Sequence, residues 1–122
     1  GFRLPTKDEW EKAFYSGTKT KTLTHDTIKK NGWYLKNSDN TPHPVAQKEM
    51  DKNGLYDMSG NVWEWCWDNY NGNDHYRIYK GGSCTSDLKL CQPSFTGHQY
   101  PSRYSMNYSY WWFGIRVVKN ER

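Results

Sequence analysis

Trp10, Ala13 and Phe14 recur at i, i+3 and i+4 and form the clearest helical stripe in the chain. Pro5, Thr6, Lys7, Asp8 and Glu9 stand just ahead of it. Thr6 can accept the Glu9 amide while Glu9 reaches back to the Thr6 amide, which is a capping box. Asp8 and Glu9 suit the positive end of the helix dipole, and Gly17 is placed to end the helix. The pattern predicts a helix over roughly residues 7–16. Residues 18–31 are rich in Thr and Lys and lack a period, so they predict a surface loop with a short helical turn near Asp26–Lys30. Gly32 to Asn40 is irregular and polar, and Thr41 to Val45 is extended, because Pro42 and Pro44 disfavour helix in the residues before them. Past Gly54 the period changes to two: Trp63, Trp65 and Trp67 alternate as in a half-buried strand. Tyr76–Lys80 predicts a second short strand and Phe113–Val118 a terminal one. Gly81 and Gly82 mark a turn or a close approach of two backbones.

From Cys84 to Trp112 neither period holds. A long aperiodic stretch inside a compact domain is either disordered or a functional loop. Tyr100, Tyr104, Tyr108 and Tyr110 stand there among Ser94, Thr96, His98, Ser102, Ser105, Asn107 and Ser109. Tyr, Ser, Gly and Asn also dominate antibody paratopes, where rigid aromatic area is combined with adaptable hydrogen bonding. The polar neighbours predict exposed tyrosines, hence a contact site. Trp112 and Phe113 adjoin the terminal strand and are assigned to the core.

Composition sharpens this picture. The hydrophobic share is 34% of 122 residues, which alone would point to disorder. Seven Trp and ten Tyr argue instead for one loop-rich domain with an aromatic core. The net charge of +4 is scattered, with a cluster only at Lys19, Lys21, Lys29 and Lys30, and no nucleic-acid motif accompanies it. The expected partners therefore exclude nucleic acid. No apolar run is long enough to span a bilayer. Cys66, Cys84 and Cys91 are an odd set without zinc spacing, and Cys66 and Cys91 are best read as small buried side chains. His25, His43, His75 and His98 show no metal spacing.

Four segments carry a resemblance. Gly-Phe-Arg-Leu-Pro-Thr-x-x-Glu-Trp-Glu at 1–11, Gly-Leu-Tyr-Asp-Met-Ser-Gly-Asn-Val-Trp-Glu-Trp at 54–65, Lys-Gly-Gly-Ser at 80–83 and Phe-Gly-Ile-Arg-Val-Val at 113–118 follow one another in order. Together they resemble the formylglycine-generating-enzyme (sulfatase-modifying factor) family. Where this chain has Gly114-Ile115-Arg116, the family commonly has Gly-Phe-Arg. The resemblance implies an α+β, irregular, loop-rich C-type-lectin-like fold. It also implies that residues 1–122 form the C-terminal part of one such domain, the N-terminal part lying upstream or being absent. The family's enzymes oxidise a substrate cysteine with a copper(I)-binding cysteine pair, and soft thiolates suit that metal. Cys84 directly follows Ser83 and Cys91 lies seven residues on, so neither stands at the family's positions and no catalytic residue is carried over. No cofactor for catalysis is expected. A structural calcium ion is implied at Asp57, Gly60, Val62 and Glu64, whose oxygens suit a hard cation. The alternative is that Asp57 and Glu64 simply hydrogen-bond the turn.

The family also holds non-enzymatic variable proteins of diversity-generating retroelements, mutated at adenines between the Gly-Gly-Ser and Gly-Phe-Arg-like motifs. This chain resembles that subset, with residues 84–112 as the variable region. Thr85, Ser86, Asp87, Gly97, His98, Tyr100, Tyr104, Ser105, Asn107, Tyr108, Ser109 and Tyr110 can each be reached from an Asn codon by changes at its adenines. Lys89, Gln92, Gln99, Met106 and Trp112 cannot, and either belong to the scaffold or arise from other codons. All of the reachable residues except Gly97 are the expected ligand contacts. The expected partner is a protein or other macromolecule on a bacterial cell surface or outside the cell, with membrane attachment only through a lipid anchor upstream. A copper-dependent oxidase and a calcium-dependent glycan-binding module are the alternative readings.

Overall fold

The computed structural model describes residues 1–99 and 112–121. Strand β1 (Phe2–Arg3) leads into helix α1 (Lys7–Thr18), followed by α2 (His25–Asn31), β2 (Trp63–Tyr70), β3 (Asn73–Lys80), α3 (Leu88–Cys91), β4 (Gly97–Gln99), β5 (Phe113–Gly114) and β6 (Val118–Lys119). The main sheet has the order β4-β3-β2-β5, and β1 pairs with β6 in a separate two-stranded ribbon.

Helix α1 starts as its sequence dictates, with the Thr6–Glu9 capping box formed in both directions. Arg3 reinforces it through a paired contact with Glu9, at 2.7 and 2.8 Å. The Arg3 guanidinium and the Thr6 amide hold the Glu9 carboxyl down, at about 2. The helix does not stop at Gly17. It runs to Thr18, and Lys19 takes the left-handed cap at φ 54°, donating to the Tyr15 carbonyl. Gly17 serves packing instead: a Cβ there would lie 2.2 Å from Asp51 Oδ2. The helical turn expected near Asp26–Lys30 is α2, capped by Thr24.

The core gathers Trp10, Phe14, Leu23, Ile28, Tyr34, Met58, Cys66, Ile78 and Cys91. Aromatic rings share it with aliphatic and sulfur side chains, so it is less purely aromatic than the composition suggests. Strand β2 alternates as expected, but the face that enters this core carries Glu64 and Cys66. The three tryptophans occupy the opposite face, buried at Trp63, half-buried at Trp65 and 59% exposed at Trp67. That face is a second, aromatic layer: Trp65 stacks on Phe113 at 4.6 Å, and Tyr79 meets Trp63, Trp65 and Phe113 edge-on. Such pairs contribute roughly 0.5–1.5 kcal/mol each beyond burial.

Two strand expectations change. The second strand begins at Asn73 rather than Tyr76, pairing Tyr70 with Asn73 across the hairpin. The terminal strand expected over 113–118 is split. Phe113–Gly114 runs parallel to β2, whereas Val118–Lys119 crosses to β1. The supposedly aperiodic stretch after Cys84 also holds regular elements, α3 and β4.

Candidate functional site

Two features emerge from this frame: the anchored ends of the segment that follows β4, and a buried polar network.

At the upstream end, β4 pairs with β3 through Arg77–Gln99, Ile78–His98 and Tyr79–Gly97. Gly97 is required there, since a Cβ would lie 2.0 Å from the Tyr79 ring. Just before it, the fully buried Lys80 ammonium donates to the Pro93 carbonyl at 2.7 Å, the Phe95 carbonyl at 2.9 Å and Thr96 Oγ1 at 3.2 Å. Burial lowers the Lys80 pKa from its usual 10.5, and Glu11, at an ion-pair distance of 3.5 Å, opposes that shift. Gln92 fixes the same loop from the other side: its amide donates to the Leu23 carbonyl at 2.9 Å and accepts the Leu23 amide at 2.8 Å. The scaffold assignment of Gln92 thus has a structural counterpart. At the downstream end, the Trp63 amide donates to the Trp112 carbonyl at 2.8 Å, and Phe113 stacks on Trp65. Trp112 and Phe113 are half-buried, consistent with packing against the sheet.

The expected contact residues divide. His98 is exposed on β4 beside Tyr70, at 3.6 Å between ring centroids. Thr85 is half-buried near Ser83, with Oγ atoms 3.1 Å apart. Asp87 is exposed but caps α3, accepting the Leu90 amide. Ser86 is a correction: only 3% exposed, it accepts the Ser83 amide and so builds the turn rather than meeting a ligand. Tyr100, Tyr104, Ser105, Asn107, Tyr108, Ser109 and Tyr110 lie outside the described residues.

The polar network brings together three segments distant in the chain. Glu64 is buried, and its Oε1 accepts both the Trp10 indole N–H at 3.0 Å and Arg116 Nε at 2.7 Å. Its Oε2 accepts Arg116 Nη2 at 3.1 Å, and the same nitrogen donates to the Tyr56 carbonyl at 2.7 Å. Burial is the strongest single influence and works against the Arg116 charge, but the bond to Glu64 together with the charges of Glu64, Asp57 and Asp51 raises the pKa overall. Lys80 continues the network, its ammonium 5.6 Å from the centre of the Trp10 ring. Sequence reasoning missed both cations. Their signal was present in the third and fourth motifs, but a lysine or arginine in a motif does not announce that it is buried.

The implied calcium ligands are only partly suited to an ion. Asp57 is buried at φ 56°; its Oδ2 accepts the Ala46 amide at 2.9 Å, while Oδ1 is buried without a hydrogen-bond partner. Gly60 and Val62 flank the turn, and Gly60 donates its amide to the Gly81 carbonyl. Glu64 fits poorly: three of the roughly four lone-pair sites of its carboxylate are taken, two by Arg116 and one by the Trp10 indole. Among the described residues, no group of three or more His, Cys, Asp or Glu is arranged to hold a metal.

Cys66, Cys84 and Cys91 are all free and buried. Burial pushes their thiols up, Cys66 and Cys91 to about 12 and Cys84 to about 11. Thiolate is the reactive and metal-binding form. Iodoacetamide at mildly alkaline pH is therefore expected to label the folded chain only as fast as the chain unfolds. Rapid stoichiometric labelling, read by mass spectrometry, would mean that at least one thiol is open and activated.

A loop-rich α+β frame, with a capped helix packed on a curled sheet and short strands holding long connections, defines a C-type-lectin-like domain of the formylglycine-generating type. The chain belongs to the sulfatase-modifying factor enzyme 1-like domain family, which matches residues 1–121. It is 31% identical to the chaperone protein LppX of Paenibacillus barcinonensis, over 99% of this chain and 50% of that protein. Its fold superposes on Treponema denticola variable protein 1 with a TM-score of 0.81 at 34% identity, covering 96% of this chain and 47% of the other. The crystal structure of CarF matches at a TM-score of 0.77 and 26% identity, over 100% of this chain and 48% of the other. The chain thus spans about half the length of each of these three relatives. Among the described residues, no helix is long and apolar enough to cross a membrane.

Proposed function

We propose that this chain is a non-catalytic recognition domain that displays a diversified, Tyr/Ser/Asn-rich segment on a fixed scaffold. The observation that carries the reading is the placement of the segment's ends. β4 and β5 form opposite margins of one four-stranded sheet, and each is hydrogen-bonded to a central strand. Loops carried by a rigid support tolerate sequence change without loss of the fold. Likeness to the Treponema denticola variable protein supports the same reading. So does the failure of the cysteines to supply an open thiolate pair, which the copper-oxidase alternative requires. The contact residues are Thr85, His98, Tyr100, Tyr104, Ser105, Asn107, Tyr108, Ser109 and Tyr110, with Asp87 at the margin. The ligand is a protein or another macromolecule at a bacterial surface, met by aromatic area and short polar groups rather than by a closed pocket.

The coding locus tests this directly. A neighbouring reverse transcriptase gene and a near-identical template repeat for residues 84–112 are expected. Sequences from related isolates should then differ at adenines in this stretch and keep Lys80, Gln92 and Trp112. Variation spread evenly along the gene, with no repeat nearby, would refute the reading.

A further inference from the structure

We propose that the Arg116 guanidinium supplies the positive charge at Glu64, so that the central turn is held without calcium. Glu64 is the ligand on which an ion at this turn would most depend, because hard cations need several oxygens and favour carboxylates. Here three of the roughly four lone-pair sites of the carboxylate are already taken. Its side chain is 6% exposed, and Arg116 engages both oxygens, at 2.7 Å from Nε and 3.1 Å from Nη2. A fork-shaped guanidinium matches a carboxylate bidentately, as a point charge does not. The Trp10 indole takes a further lone pair of Oε1. The bond from Arg116 to the Tyr56 carbonyl then ties the fourth motif to the residue before Asp57, which is the bracing an ion would otherwise provide. Asp57 retains one unpartnered buried oxygen, but its other oxygen is bound to Ala46. One free carboxylate oxygen beside a fixed guanidinium is a poor seat for a divalent cation, which the neighbouring positive charge repels.

The experiment uses the whole chain, first stripped with a chelator. Calorimetric titration with calcium chloride is expected to show no saturable heat. The thermal midpoint should be the same in excess calcium and in excess chelator. Arg116→Gln is expected to lower that midpoint by several degrees, because Glu64 is left buried without its partner. If the variant does not fold, the two measurements on the unaltered chain decide alone. Saturable calcium binding that Glu64→Gln abolishes would overturn the proposal. A midpoint that falls on chelation, or an Arg116→Gln chain as stable as the original, would do the same.

Discussion

Replacing Gly60 by Ala is expected to cost about 4 kcal/mol or more, at the upper end of what one substitution does. Gly60 sits at φ +75°, where an L side chain is strained, and an added Cβ would lie 2.1 Å from the Trp33 carbonyl oxygen. That oxygen cannot yield, because it accepts the Asn61 amide at 2.7 Å in the bridge joining residues 33 and 60. The Gly60 amide is itself engaged by the Gly81 carbonyl at 2.8 Å. Backbone meets backbone on both sides, so no rotamer change relieves the clash. Urea denaturation followed by tryptophan fluorescence measures the loss. A Gly54→Ala control, also at positive φ but with nothing within 4 Å of its Cβ, should show only the strain component, roughly 1 kcal/mol. Equal losses in the two variants would mean that the Trp33 contact is not what makes Gly60 necessary.

The second large effect is expected at Lys80. Lys80→Met keeps the aliphatic stem but removes an ammonium that satisfies two carbonyls and one hydroxyl and faces Glu11. Breaking a buried charge arrangement by deleting one partner costs about 3–5 kcal/mol. The damage should be local first. Hydrogen exchange of the Gly97–Gln99 amides is expected to quicken more than that of α1, because the Pro93–Thr96 loop loses its tether. Uniform quickening across the chain would mean that Lys80 supports the core generally and has no special hold on the base of the segment.

The first helix was legible because its signals are local. The capping box needs only Thr6 and Glu9, and the buried stripe only Trp10 and Phe14. Its end was not legible, since Gly17 is occupied by a contact with Asp51, thirty-four positions away, and Lys19 takes the left-handed cap in its place. The Trp63–Trp67 alternation revealed a strand correctly. It could not show which face meets the core, because that depends on helix α1 delivering Trp10 to Glu64. The split of the last strand was hidden for a similar reason. Residues 115–117 bend so that Arg116 reaches Glu64 while Val118 goes to β1, and partner choice of this kind leaves no periodic trace. The candidate recognition segment, proposed from composition and from the family resemblance, lies largely outside the described residues, and its anchors were not legible in the sequence. Lys80 is a charged residue with no exposed surface, and only the path of the 93–96 loop around it makes that tolerable.

The Trp10–Glu64–Arg116 triad also makes the burial of Glu64 depend on a residue encoded far downstream of it. Its carboxylate lies ahead of residues 84–112 and its guanidinium behind them. A product interrupted anywhere between Tyr100 and Trp111 would bury Glu64 with no counter-charge and leave Trp65 without the Phe113 ring. Such a product is expected to be markedly less stable than the chain that carries Arg116.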